Sequence, residues 1–334
     1  MTTSATVTFE PAPRLASDEP AAPLPWDLAG FEAALGPAER PGRSIRGGPR
    51  QLRRLAETQP DRPYERFGVT PLSPLIGAEI SGIDLGVPMD PELKDELHRA
   101  WLEWKVLFFR DQWITADQQV AFARVWGDLE QQRLAQAAAE PGLARYVKDA
   151  ANAGWENAWH VDMTGRPEPA KAFVLRLVRG PATGGDTIFV DAAAAYDNLP
   201  GPVQAAVDGL RAVHDLTATL SRFVSADELA RIRAAFPPVI HPVVRTHPET
   251  GRRTLFVNSV FTDRIADMDA DRGELLLQYL FRQLQAPEYQ VRFRWTPGAV
   301  AFWDNRAAQH YAVSDYFPAE RITERVAVAG DKPY

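Results

Sequence analysis

The chain has 334 residues, 45% hydrophobic and 24% charged, with a formal net charge of −7, the balance of one large globular domain with an extension and not of a nucleic-acid-binding surface. It contains no cysteine, which excludes disulfides, thiolate metal sites and cysteine nucleophiles and fits a cytoplasmic location. No apolar run reaches membrane-spanning length, and "MTTSATVTFEPAPRLASDEP" lacks the basic and apolar blocks of a secretory signal.

Residues 1–62 are rich in Pro, Ala, Gly and charge. They read as an irregular N-terminal extension with one short helix around "WDLAGFEAAL" at 26–35. "RPGRSIRGGPRQLRR" at 40–54 is basic but broken by Gly and Pro, as in a solvated linker. The compact domain is expected over 63–334, opening with short strands and turns in "YERFGVTPLSPLIGAEISGIDLG". A helix follows over 89–104, with Asp90 as cap, Pro91 in the first turn and Leu93, Leu97, Ala100, Trp101 and Trp104 on one apolar face. "KVLFFR" at 105–110 reads as a buried strand, and "TADQQVAFARVWG" as a helix capped by Thr115 and stopped by Gly127. The Ala- and Gln-rich stretch 129–158 reads as a mobile lid.

Beyond residue 159 strands dominate: 172–178, 186–191, 239–247, 254–258, 290–296, 299–305 and 324–330, with helical patterns at about 200–211 and 271–285. This order predicts a mainly β protein with flanking helices, a double-stranded β-helix (jelly-roll) barrel.

"ENAWHVDMTG" at 156–165 holds His160 and Asp162 one residue apart. On an extended strand, residues i and i+2 point the same way, so an imidazole and a carboxylate would aim into one cavity. The spacing alone is weak; a turn His near an Asp reads the same. One more His from a distant strand would complete two His and one carboxylate on one face of a metal, the set suited to non-heme Fe(II) with oxygen. Of the other five histidines, His98 reads as solvated on its helix, His247 as an outward structural residue opening a turn, His241 as a satisfied core residue and His214 as a packing or capping group. His310 stands out, just after "AVAFWDNRAAQ" at the end of a Trp-bearing strand. Arg321 and Arg325 follow, four residues apart and so on one face of the last strand, where guanidiniums fork onto carboxylate or sulfonate groups.

At these residues the chain resembles the taurine dioxygenase-like (TauD/TfdA) branch of Fe(II)/2-oxoglutarate-dependent dioxygenases. The resemblance covers roughly 66–334 through "TPLSPLIGAEISGIDL", "VLFFRDQ", "WHVDMT", "GGDTIF", "HPVVRTHPETGRRTLFVN", "FWDNRAAQHYAVSDY" and "RITERVAVAGDKPY". It implies that His160, Asp162 and His310 bind Fe(II). It implies that Thr187 and Arg321 hold 2-oxoglutarate, and that Arg325 and Phe261 face the primary substrate; Glu156, where the sequence departs from the family, reads either as a substrate residue facing an amine or cation or as a solvated loop acid. Phe189 and Trp303 match aromatics near the iron. The implied reaction uses O2, converts 2-oxoglutarate to succinate and CO2, and hydroxylates an aliphatic C–H of a small anionic substrate (carboxylate, sulfonate or sulfate). Desaturation, cyclisation or oxidative cleavage would use the same residues. A non-oxidative metal-binding barrel would share the triad but have no need of Thr187 with Arg321. Asp162 argues against halogenation, which requires the carboxylate position to be open to halide. The family is also compatible with a homo-oligomer.

The substrate shell departs from the family's taurine-oxidising members. "GDLEQQRLAQAAAEPGLARYVKD" carries neither the His nor the Tyr expected there; Glu156 replaces an Asn, and Leu220 a pocket Phe. Taurine itself is therefore not the expected substrate.

Overall fold

A computed structural model describes residues 49–130, 136–137, 141–154, 156–221 and 224–334; the helix expected at 26–35 lies outside these residues, as does part of the stretch read as a lid. In chain order the described elements are β1 (Gly68–Pro71), β2 (Ala78–Ser81), α1 (Pro91–Trp104), β3 (Val106–Phe109), α2 (Ala116–Arg124), β4 (Leu129–Glu130), β5 (Gln136–Ala137), β6 (Leu143–Lys148), β7 (Ala172–Arg179) and β8 (Thr187–Asp191). There follow α3 (Ala192–Asp197), α4 (Gly201–Val207), β9 (Arg211–His214), α5 (Thr217–Leu220), α6 (Ala226–Ala235), β10 (Val239–Pro242), β11 (Val244–Thr246), β12 (Arg253–Leu255) and β13 (Thr262–Ile265). Last come α7 (Ala270–Gln283), β14 (Gln290–Phe293), β15 (Val300–Asp304), β16 (Ala308–Ala312) and β17 (Arg321–Val328). The protein is mainly β with a few helices, and no described helix is long and apolar enough to cross a membrane.

The predicted caps are in place. Asp90 accepts from Leu93 N at 2.8 Å at the start of α1, and Thr115 with Gln118 forms a capping box on α2. Both helices lie on the outer face of a large sheet ordered β1-β2-β3-β15-β7-β17-β6-β5, with β4 also on β17. Alternation along its strands sorts the side chains: Val300, Phe302, Val326 and Val328 pack outward with Leu97, Trp101 and Trp126. Ala301, Trp303 and Ala327 face a second core shared with the sheet β14-β8-β16. Each layer is locked by aromatic stacking, Trp101 on Phe302 at 4.8 Å outside and Phe108 on Phe293 at 3.9 Å inside; truncating such a ring to Ala costs about 3–5 kcal/mol. The site lies on the inner side, between these two sheets.

Three details differ from the sequence expectation. The run 239–247 is not one strand: β10 pairs with β9 while β11 pairs with β12, and the break falls at Pro242, which has no N–H to continue a ladder. Helices α3 and α6 had no clear periodic signal, since α3 is a nearly uniform Ala run and α6 buries only Ile232 fully. His310 does not end the Trp-bearing strand but sits in the middle of its own strand, β16, after a turn that carries the chain from one sheet to the other.

Residues 49–62 have no helix or strand and are mostly exposed, yet several of them are bonded to the domain. Arg54 pairs with the buried Glu103 at 2.7 Å and lies 5.0 Å from the Trp104 ring. Gln51 and Asn198 exchange two hydrogen bonds, and Arg252 donates to Arg53 O.

Candidate active site

Three elements converge on one point. His160 is joined to His310 by a two-bond bridge, each backbone N–H donating to the other's carbonyl at 3.0 and 2.9 Å. The chain then turns sharply instead of continuing as a strand, with Met163 at φ 63°. Asp162 lies where this turn begins, and its carboxylate converges with the two imidazoles. Asn305 fixes that turn: it accepts from Asp162 N at 3.2 Å and donates to Asp162 O at 3.0 Å. His310 pairs in register with Phe189 on β8.

The side chains of His160, Asp162 and His310 are all buried and each offers one ligand atom within 4.8 Å of the others. His160 Nε2 stands 3.8 Å and His310 Nε2 3.6 Å from the Asp162 carboxylate; donors each about 2.1 Å from one ion would be about 3–3.6 Å apart. His160 Nδ1 lies 2.8 Å from Ala158 O. A carbonyl only accepts, so Nδ1 carries the proton and Nε2 presents its lone pair to the centre. Burial, then the neighbouring His160, pushes the His310 imidazole down to about 3, leaving it neutral and free to ligate. Burial alone would raise the Asp162 carboxyl, but the Arg325 guanidinium and the two imidazoles outweigh it and hold the group below the usual carboxylate range. Two imidazoles with Nε2 toward the carboxylate and an ionised carboxylate fit a divalent metal.

Two cavities meet at this triad. The smaller, about 100 Å³, is lined at the triad end by His160, His310 and Phe189 and further away by Thr187, Thr323 and Arg321. Among the described residues the Arg321 side chain makes neither an ion pair nor a hydrogen bond. Tyr316 and Trp295 flank its guanidinium at 5.9 Å each, and burial lowers its pKa. A largely enclosed guanidinium left without an anion is costly, so an anion entering this cavity would be stabilised there. As expected from alternation, Arg321, Thr323 and Arg325 share one face of β17, while Glu324 points to the other and pairs with Arg145 and Arg176.

The larger cavity, about 440 Å³, opens on the other side of His160 and Asp162. Its walls are mainly apolar: Met163, Leu216, Leu220, Val260, Phe261 and Phe236. Phe261 is held by Asn258, which accepts from its N–H at 2.9 Å, and its ring stands 6.3 Å from that of His160. Glu156 lines both cavities and pairs with Lys148 at 2.7 Å. Arg325 also lines both, but its fork is engaged: Nη1 donates to Asp162 at 2.7 Å and Nη2 to the Tyr146 hydroxyl at 2.6 Å. Tyr146, Trp295 and Asn305 were not singled out in the sequence. The first needed the β6–β17 pairing, which sets Tyr146 opposite Thr323; the others stand outside any spacing motif.

The remaining histidines are accounted for. His98 is partly exposed and meets Glu249 at 2.9 Å. His241 is buried and directs Nε2 at the carbonyls of Thr164 and Arg166. His214 is a fully buried packing residue, 5.1 Å from the His241 ring. His247 is not outward: it is 2% exposed and bonded to Asp304 at 2.9 Å, because the turn it opens folds back over β15.

The family model described as Taurine catabolism dioxygenase TauD, TfdA family matches residues 68–327. An alpha-ketoglutarate-dependent sulfate ester dioxygenase of Pseudomonas putida is 38% identical over 79% of this chain and 90% of its own length. An alkylsulfatase of Acinetobacter baylyi is 34% identical over 80% of this chain and 87% of its own. Among solved structures, AAD-2 in complex with Mn(II) and N-oxalylglycine superposes with a TM-score of 0.70 at 32% identity, over 80% of this chain and 98% of that one.

Proposed function

The chain belongs to the TauD/TfdA family and is an Fe(II)- and 2-oxoglutarate-dependent dioxygenase, and from that premise we propose that it hydroxylates an aliphatic carbon of an amphipathic organic anion, a sulfate ester foremost. The observation that carries the reading is the position of His160, Asp162 and His310 where a small basic cavity meets a larger apolar one. In this reading the facing sheets form a double-stranded β-helix, residues 63–334 make up the dioxygenase domain, and residues 1–62 extend it.

The three side chains hold the iron, which when bound supplies oxygen activation and the oxidising power for C–H cleavage. Arg321 forks onto the distal carboxylate of 2-oxoglutarate, and Thr187 gives that cavity a hydroxyl. The apolar walls around Phe261 take the carbon skeleton of the substrate and keep water from the reacting carbon. Arg325, at the junction, supplies positive charge toward the anionic group while orienting Asp162. Glu156, neutralised by Lys148, stands where a second polar group of the substrate would pass. The sulfate ester class is supported by the two relatives above and by a cavity too apolar for taurine. Hydroxylating the carbon that bears a sulfate ester yields a hemiacetal-like adduct, which collapses to aldehyde and inorganic sulfate as its hydroxyl proton is lost.

The test is anaerobic addition of Fe(II) and then 2-oxoglutarate, followed by oxygen and a panel of alkyl sulfates, alkyl sulfonates, aryloxycarboxylates and taurine. A metal-to-ligand charge-transfer band should appear, and succinate release should be fastest with anions carrying extended apolar groups. Absence of the band rejects the cosubstrate site; taurine outperforming every apolar anion rejects the substrate class.

A further inference from the structure

We infer that Trp295 is a positioning residue for the cosubstrate, setting the direction of the Thr187 hydroxyl proton and the plane of the Arg321 guanidinium together. The inference rests on reading the smaller cavity as the 2-oxoglutarate site, and it assigns a role to a side chain that does not itself line that cavity.

Trp295 Nε1 lies 2.9 Å from Thr187 Oγ1, and both residues are buried. An indole N–H only donates, whereas a threonine hydroxyl has one proton and two lone pairs. With the indole on one lone pair, Thr187 acts toward Trp295 solely as an acceptor, so its own proton is directed elsewhere. Thr187 lines the small cavity, where a carboxylate oxygen is the acceptor to meet it. Without the indole N–H the hydroxyl is free to rotate, and its donor would no longer be committed to the ligand.

The same ring serves Arg321. The guanidinium carbon stands 5.9 Å from the Trp295 ring and 5.9 Å from the Tyr316 ring, within cation–π range. The Arg321 side chain has no hydrogen bond or ion pair among the described residues, so flanking rings take the place of polar partners in aiming it. Gly185 keeps its stem close: a Cβ there would lie 3.2 Å from Arg321 Cδ. Trp295 is itself fixed, standing edge-on to Phe293 at 5.0 Å and 84°, and Phe293 pairs in register with Thr187. Strand β8 thus carries the acceptor, and the segment just after its partner β14 carries the donor.

The experiment measures Mn(II) and 2-oxoglutarate dissociation constants anaerobically for the unmutated chain, Arg321→Leu, Trp295→Phe, Thr187→Val and the double variant Trp295→Phe/Thr187→Val. Trp295→Phe should weaken 2-oxoglutarate about five- to tenfold, the scale of one hydrogen bond with its alignment, and leave Mn(II) affinity within about twofold. The double variant should bind no more weakly than Thr187→Val alone, because Phe keeps an aromatic ring beside Arg321 and the lost indole N–H acts through the Thr187 hydroxyl. In turnover, KM for 2-oxoglutarate should rise more than kcat falls. If the unmutated chain does not bind 2-oxoglutarate, or Arg321→Leu binds it equally well, the cosubstrate reading fails. If those two behave as expected but Trp295→Phe binds 2-oxoglutarate normally, or loses Mn(II) to the same degree, the positioning role is overturned. Should Trp295→Phe not fold, Thr187→Val decides: normal 2-oxoglutarate affinity there leaves no hydroxyl bond for Trp295 to direct.

Discussion

Arg325 joins the metal carboxylate to the wall between the two cavities. It is enclosed by the rings of Tyr146 and Phe173 at 4.9 and 4.8 Å and donates to Asp162 and Tyr146 together. A planar fork does this and an ammonium does not. Arg325→Ala should therefore weaken Mn(II) binding about tenfold, within the range for loss of a partner to a ligand, as well as impairing the primary substrate. Arg325→Lys should recover little of either; Mn(II) affinity equal to the unmutated chain would show that Asp162 needs no such support. At this scale the sequence discloses side chains whose chemistry depends on type and spacing: the His-x-Asp pair, a later His and two Arg on one face. Tyr146 and Trp295 were hidden because their roles arise from strand register, and His247 was misread because a turn residue is exposed only if nothing folds over it.

Among the elements, the small sheet β10-β9-β13 carries a pH-dependent liability. His214 is fully buried, and burial pushes it well below the usual imidazole range; burial likewise takes His241 down to about 4. In the unfolded chain both would titrate near 6.5. Below that value the unfolded state gains protons that the folded state refuses, so stability is full above about pH 6.5 and declines toward pH 4. The melting temperature should fall over this window, with a shallower slope in His214→Phe; an unchanged slope would place the proton uptake elsewhere. Strands β3, β7, β15 and β17 of the large sheet were legible because they are β-branched or aromatic and largely buried, whereas β4, β5 and β6 fall in the stretch read as a lid and carry little of that signal. Helix α6 was not, since it rests one side on a cavity and has little apolar stripe to detect.

For the whole molecule, the two layers are tied together at their edge by residues 49–62 and Lys105. The Lys105 ammonium donates to Arg54 O at 3.0 Å and Leu75 O at 2.9 Å and pairs with Asp191 at 3.2 Å, linking the N-terminal segment, the end of α1 and the start of α3. Composition marked this segment as irregular but gave no hint of docking, because its contacts are to backbone carbonyls and to acids far away in sequence. Deleting residues 1–62 should lower Tm by about 5 °C more than deleting 1–48, the consequence of losing one or two kcal/mol in a domain of this size; equal melting of the two would reduce 49–62 to a passive tether.

The two cavities share His160, Tyr146, Glu156 and Arg325 as a common wall. A ligand that shifts any of these side chains from one side changes the surface met by a ligand on the other. Thermodynamic reciprocity then applies: whatever factor a ligand in one cavity contributes to the affinity of a ligand in the other, the second returns to the first. The partition thus makes occupancy of one chamber a signal in the other, with no movement of the two sheets required.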